Sequence, residues 1–190
     1  MGDEVDEKGR VRRIGARKIE DNISDFKAQL AANQKGVALI QSFIAEKGIA
    51  YVQAYMGFIQ KNAAQEVSAM LGELGEEFGV STGEVKEVAH ESEFMDDGSE
   101  VSLALTIDRR SEETQAVLDF RGTSLQTLGN WNAPRVIVKS AVIYALRCML
   151  KSEIPLNQGC LEPITILTKR GSLIDPREDA AVVGGNVLTS

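Results

Sequence analysis

Three observations predict an α+β fold. Residues 17–78 repeat apolar side chains at helical spacing and are interrupted at Gly48. From residue 84 the spacing changes to an alternation of apolar and polar positions, the signature of strands with one face on a core. Among these strands, residues 135–150 are apolar almost all round, as in a buried helix. The expected architecture is a long antiparallel helix hairpin (17–78), then an antiparallel β meander, one buried helix and further short strands (84–190). A charged, mobile tail at 1–16 precedes them.

The first helix begins near Asn22, a good N-cap residue followed three positions later by Asp25. Ile23, Phe26, Leu30, Val37, Ile40 and Ile44 form one stripe, so the helix is expected to run through Gly36 and end at Gly48. A second helix carries Ile49, Val52, Met56, Ile59, Val67 and Met70. Its final Glu73, Glu76 and Glu77 oppose the helix dipole and predict fraying. After Gly79, residues 84–95 and 101–108 read as a hairpin about the Asp97-Gly98 turn, and Ala116, Leu118 and Phe120 as a third antiparallel strand. A polar loop, residues 122–132, leads to a helix opened by Asn132 and Pro134. Residues 164–167 form a short strand, and the final AAVVGGNVLTS reads as a strand entering a Gly-Gly turn.

Composition narrows the function. A chain of 190 residues, 43% hydrophobic and 26% charged, suffices for one domain with a sizeable core. With 21 basic against 28 acidic residues it has no excess of the cations that a nucleic-acid partner requires. No apolar run approaches the roughly 18 residues of a membrane span. The charged N-terminus lacks a secretory signal, and Asp6 stands where a myristoylation signal carries Ser or Thr. Two cysteines, Cys148 and Cys160, make no disulfide framework, so a cytoplasmic location is expected. The single histidine, His90, excludes a multi-histidine metal site within the chain.

Several side chains have chemistry to offer. The loop at 122–132 feeds a helix N-terminus, where free N–H groups attract developing negative charge, and the same pattern also describes ordinary scaffold. Asn130, Asn132 and Asn186 carry amides suited to holding a carbonyl or an oxyanion, although Asn in Gly-rich turns also serves local backbone geometry. Asp21 and Asp25 read either as helix-start residues or as a carboxylate pair. Cys160 lacks a base in sequence and reads as structural, His90 as a surface residue. Arg135, Lys139, Arg147 and Lys151 form a thin cationic ridge, a solvated edge or an anion site.

The motifs RKIEDNISDFKAQLAANQKG, VQAYMGFIQKNA, FMDDGS, LDFRGTS, GNWNAPR, YALRCML, IPLNQGC, GSLIDP and AAVVGGNVLTS, in register from about Ile14 to Ser190, resemble the hydantoinase-B-like half of the 5-oxoprolinase family. That resemblance implies part of a hydantoinase B domain in an ATP-dependent hydrolase of cyclic amides, in glutathione turnover. In it an ATP-binding, hydantoinase-A-like half, with magnesium, activates the lactam carbonyl, and the half resembled here serves hydrolysis. Related hydantoinase, caprolactamase and acetone carboxylase subunits share much of the pattern. The chain has no phosphate loop of its own, so ATP is expected to bind outside it. No metal ligand is assigned within it, and the family's upstream His- and Asp-containing segment is replaced by the tail. The expected state is a fragment inactive by itself, with a non-catalytic interaction module as the rival reading, and its cut apolar face predicts self-association.

Overall fold

The computed structural model describes the backbone of residues 4–13, 18–155 and 157–188. It divides into two compact units, Met1–Tyr55 and Met56–Ser190, each described by itself.

In the first unit, β1 (Glu4–Val5) and β2 (Val11–Arg13) pair antiparallel within the segment expected to be a charged tail. The Asp6 carboxylate closes their turn by accepting the Lys8 and Arg10 N–H groups and the Arg10 guanidinium, all at 2.9 Å. Helix α1 (Ile19–Lys47) starts before Asn22, with Lys18 in the left-handed region (φ 49°) at its N-cap, so Asn22 is not the cap. It runs through Gly36, where a side chain would meet only open space. Glycine at mid-helix weakens it by about 1 kcal/mol without breaking it. None of its residues is buried; Phe26 is exposed by 53%, Leu30 by 59% and Val37 by 58%. Gly48 (φ 84°) alone separates α1 from α2 (Ile49–Glu77), whose first residues complete this unit.

The second unit is built on the rest of α2, which buries Ala63, Val67 and Leu71. Its C-terminus does not fray. Gly79 (φ 68°) permits a Schellman closure, with Val80 N–H donating to Gly75 O (2.8 Å) and Gly79 N–H to Glu76 O (3.0 Å). Cations from the sheet cover the same end: Arg109 donates to Val80 O and Glu76, and Lys86 to Phe78 O. They offset the acidic last turn, a compensation that local sequence does not reveal.

Strands β3 (Val85–Phe94), β4 (Glu100–Asp108) and β5 (Gln115–Asp119) form the expected antiparallel meander. The strand β6 (Ile164–Leu167) joins β5 in parallel, giving a mixed sheet in the order β3-β4-β5-β6. On one face, Ile107 is fully buried beneath α2, where Gly75 leaves room for it. On the other, Ser102 is buried at 4% exposure beneath Gly122 and Thr123.

Helix α3 (Arg135–Met149) departs from the expected full burial. It buries Val138, Val142 and Leu146, four apart on one stripe, whereas Val136, Tyr144 and Met149 are exposed. The N-cap is Pro134, not Asn132; proline already has helical φ and no N–H to satisfy. A 3-10 turn (Gln158–Leu161) then presses Gly159 and Cys160 into the core. The terminal segment forms a short helix α4 (Val183–Leu188) in place of the expected strand. Its apolar residues are too few to distinguish the two periods.

Candidate functional site

The loop between β5 and α3 is laced to the turn after β6. Gln126 N–H donates to Gly171 O (2.9 Å), Leu173 N–H to Ser124 O (2.9 Å), and Ala133 N–H to Leu173 O (2.8 Å). The Arg177 N–H donates to the Gln126 side chain (2.8 Å). That turn is itself held by Asp175, 7% exposed, which accepts from the Thr168 hydroxyl (2.7 Å) and pairs with Arg170. Backbone groups are thus satisfied in pairs across two irregular segments, fixing a loop that lacks secondary structure of its own.

Asn132 is the centre of this arrangement. It is fully buried; its Oδ1 accepts from Thr127 N–H (2.8 Å), and its Nδ2 donates to Thr127 O (3.0 Å), Gly129 O (3.1 Å) and Ala181 O (2.9 Å). Two N–H donors serve three carbonyls, leaving none for a ligand in this arrangement. Asn130 is exposed at the loop tip, and its carbonyl accepts from Gly184 N–H at the start of α4. The glycine pair makes this approach feasible: a Cβ on Gly184 would lie 2.6 Å from Asn130 O, and one on Gly185 would lie 2.7 Å from Ala133 Cα. The structure therefore brings Asn130, Asn132 and the beginning of α4 together. The side chain of Asn186 lies outside the described residues. Asp21 and Asp25 belong to the other unit, both exposed on α1, with Asp21 3.6 Å from the Lys18 ammonium.

Beside the loop, the apolar face of the sheet and α3 line an open cleft of about 750 Å³. Val101, Leu103, Leu105 and Leu118 line one wall and Ile137, Ala141 and Ala145 the other; Trp131 and Gly185 stand among the lining, as do Glu93, Asp96 and Asp97 of the β3–β4 hairpin. Trp131 was not singled out from sequence, although a lone Trp between two asparagines in a Gly-containing loop was the available signal. The expected cationic ridge divides: Lys151 pairs with Glu73 (2.7 Å) and Arg147 donates to Ser152 O, whereas Arg135 and Lys139 are exposed. The side chain of His90 is 62% exposed, as expected, and Cys160 is buried at 1%. Among the described residues no group of three or more His, Cys, Asp or Glu side chains is placed to hold a metal. No described helix is long and apolar enough to cross a membrane.

At the entrance to the loop, the Arg121 guanidinium hydrogen-bonds the Asp119 carboxylate and holds its pKa below the usual range. A depressed folded-state pKa stabilises the protein above the unfolded value, and that contribution disappears as the pH falls through the folded value. Acidification below the ordinary carboxylate range is therefore expected to destabilise wild type more than Asp119→Asn. Urea unfolding of both at successive pH values measures this; identical pH profiles would refute it.

Residues 3–190 match the Hydantoinase B/oxoprolinase family over almost their whole length, and the chain belongs to that family. It is 47% identical over 180 residues to 5-oxoprolinase 1 of Arabidopsis thaliana, covering 93% of this chain and 14% of that protein. The corresponding figures are 48% over 178 residues for Saccharomyces cerevisiae 5-oxoprolinase (93% and 13%) and 49% over 175 residues for Dictyostelium discoideum 5-oxoprolinase (92% and 13%). The chain thus spans about one seventh of these relatives. The crystal structure of the ATP-dependent caprolactamase from Pseudomonas jessenii superposes with a TM-score of 0.64 at 18% identity, over 90% of this chain and 28% of that one. The α+β fold is therefore part of a hydantoinase-B-like domain.

Proposed function

We propose that this chain is a segment of the hydrolytic half of a 5-oxoprolinase-type enzyme, which converts 5-oxo-L-proline, ATP and water into L-glutamate, ADP and phosphate. The observation that carries this reading is 47–49% identity to three 5-oxoprolinases, spread over more than nine-tenths of the chain. The residues present do not fit ATP. The cleft walls are aliphatic, its polar lining is the acidic group Glu93, Asp96 and Asp97, and no glycine-rich phosphate cradle is found among the sequence motifs. ATP and its magnesium ion are assigned to a hydantoinase-A-like half outside this chain, and the location is cytoplasmic.

Within the chain, the loop 122–133 is the site wall. Water adds to the lactam carbonyl carbon, the ring C–N bond breaks, and the nitrogen leaves as the amine of glutamate. The oxygen that gains charge needs donors already in place. Asn130 and the first turn of α3 are assigned that role together with Asn186, and Asn132 positions the loop that presents them. Asp21, in the first turn of α1, favours the helix start, and Asp25 is an exposed residue of the next turn.

Substituting this chain for the corresponding segment of yeast 5-oxoprolinase tests the assignment. ATP-dependent glutamate release is expected from the chimera, and none from the isolated chain supplied with magnesium and ATP. In the chimera, Asn130→Ala is expected to lower kcat by about 100-fold or more, the usual cost of removing one oxyanion donor, with KM little changed. A folded, inactive chimera would favour a non-catalytic interaction module instead. An unaltered kcat in Asn130→Ala would remove that residue from the site.

A further inference from the structure

On the face of the sheet turned away from the apolar cleft, the single histidine of the chain meets a buried serine. In the β3–β4 pairing His90 lies opposite Ala104 and Ser92 opposite Ser102, which makes His90 and Ser102 diagonal neighbours on that face. Ser102 Oγ is 3.4 Å from His90 Nε2, and His90 Nδ1 is 3.7 Å from the Glu87 carboxylate. Residues three apart in a regular strand point to opposite faces. Here the β3–β4 register shifts between Glu87 and Ala89, so Glu87 stands opposite Thr106, on the same face as Ala104. The irregularity aims the carboxylate at the imidazole, a use to which bulges beside reactive sites are put.

The serine is fixed and yet has room before it. Its N–H donates to Thr123 Oγ1 (3.2 Å), and the Thr123 hydroxyl donates to Ser102 O (3.3 Å). The position that a Cβ would take at Gly122 lies 2.8 Å from Ser102 Oγ. Apart from Gly122, its two chain neighbours and Ser102, no atom comes within 4 Å of that position. An electrophilic carbon placed there is within the attack distance of about 3 Å.

We propose that Ser102, His90 and Glu87 form a second reactive site, with nucleophile, base and orienting carboxylate, that hydrolyses small activated acyl esters. A proton on Nδ1, facing Glu87, leaves Nε2 to accept from the Ser102 hydroxyl. Ser102 Oγ bonds to the acyl carbon, its proton passes to Nε2, and the ester C–O bond breaks as the leaving alcohol takes that proton. Water then attacks the acyl carbon. His90 takes a proton from it and returns one to Oγ, and the carboxylic acid is released.

The test uses p-nitrophenyl acetate and the full chain in a Cys148→Ser background, which removes the exposed thiol. Release of p-nitrophenolate is expected, with one acetyl group found on Ser102 by peptide mass spectrometry. His90→Ala is expected to slow this acylation about 100-fold or more, the usual share of a positioned base, and Glu87→Gln to slow it by a smaller factor. Both residues are exposed, so their replacement leaves the core intact, which circular dichroism verifies. Gly122→Ala keeps all three side chains but fills the approach position, and a loss of about 100-fold is expected from displacing the acyl carbon. Acetylation of lysines alone, or acylation of Ser102 that is unchanged in His90→Ala or Gly122→Ala, would overturn the proposal and leave a hydrogen bond that only pins β3 to β4. The readout needs neither ATP nor a lactam, so its failure is separate from failure of the oxoprolinase assignment.

Discussion

Gly159→Ala is expected to lower the stability of the second unit by about 3 kcal/mol, the upper range for overpacking a closed core. At a urea dependence of roughly 2 kcal/mol/M for a small domain, the unfolding midpoint falls by about 1.5 M. The cause is backbone against backbone. A Cβ at residue 159 would be built onto the Gln60 carbonyl of α2, 2.7 Å from its carbon and 2.8 Å from the Asn157 side-chain oxygen. The Gln60 atoms are helix backbone and cannot swing aside. The Asn157 oxygen is also committed, since it accepts the Gly159 N–H at 2.8 Å and holds the 3-10 turn. Relief requires moving the turn off α2 and withdrawing Cys160 from the core beside it. Gly36→Ala supplies the contrast. It lies mid-helix with open space around it and is expected to stabilise α1 by about 0.5–1 kcal/mol. Equal effects from the two substitutions would show that close approach at Gly159 is not what its absent side chain serves.

These two glycines also mark what the sequence can disclose. Gly36 sits within a periodic apolar stripe, so the helix through it follows from periodicity, as do the ends at Lys47 and Glu77. Strand β4 was legible for the same reason, since Val101, Leu103, Leu105 and Ile107 alternate without interruption. Gly159 gives no such signal because the atom it avoids, Gln60 O, is almost one hundred residues away in the chain. The closure of α2 illustrates the same limit: Glu73, Glu76 and Glu77 predicted fraying, and Arg109 and Lys86, arriving from the sheet, offset them. Parallel addition of β6 to β5 is likewise a non-local choice, as both orientations present the same alternating strand. In the candidate site, the loop and the helix after it were legible from Gly122, Asn130, Asn132 and Pro134. The division of labour between the two asparagines was not, because it depends on Ala181 O and Leu173 O reaching the loop from elsewhere.

That division is testable through Asn132 itself. Replacing it with leucine, similar in size and without polar atoms, leaves Thr127 N–H and the carbonyls of Thr127, Gly129 and Ala181 without the partner that the fully buried Asn132 side chain gives them in these part-buried bonds. Each orphaned group costs about 1–3 kcal/mol, moderated where water can enter, so an overall loss of about 4 kcal/mol is expected in urea unfolding. Asn132→Asp separates acceptor from donor. Its oxygen still accepts from Thr127 N–H, but three carbonyls now face a carboxylate, and burial raises its folded-state pKa. A raised pKa means that stability is lost as pH rises through the folded value, so this variant is expected to recover on acidification toward pH 4 while Asn132→Leu does not. In the yeast chimera, Asn130→Ala is expected to lower kcat with stability unchanged, whereas both Asn132 variants lower stability and activity together. Should Asn132→Leu unfold like wild type and lose only kcat, the buried amide would be a ligand donor after all, and the loop would have to open to present it.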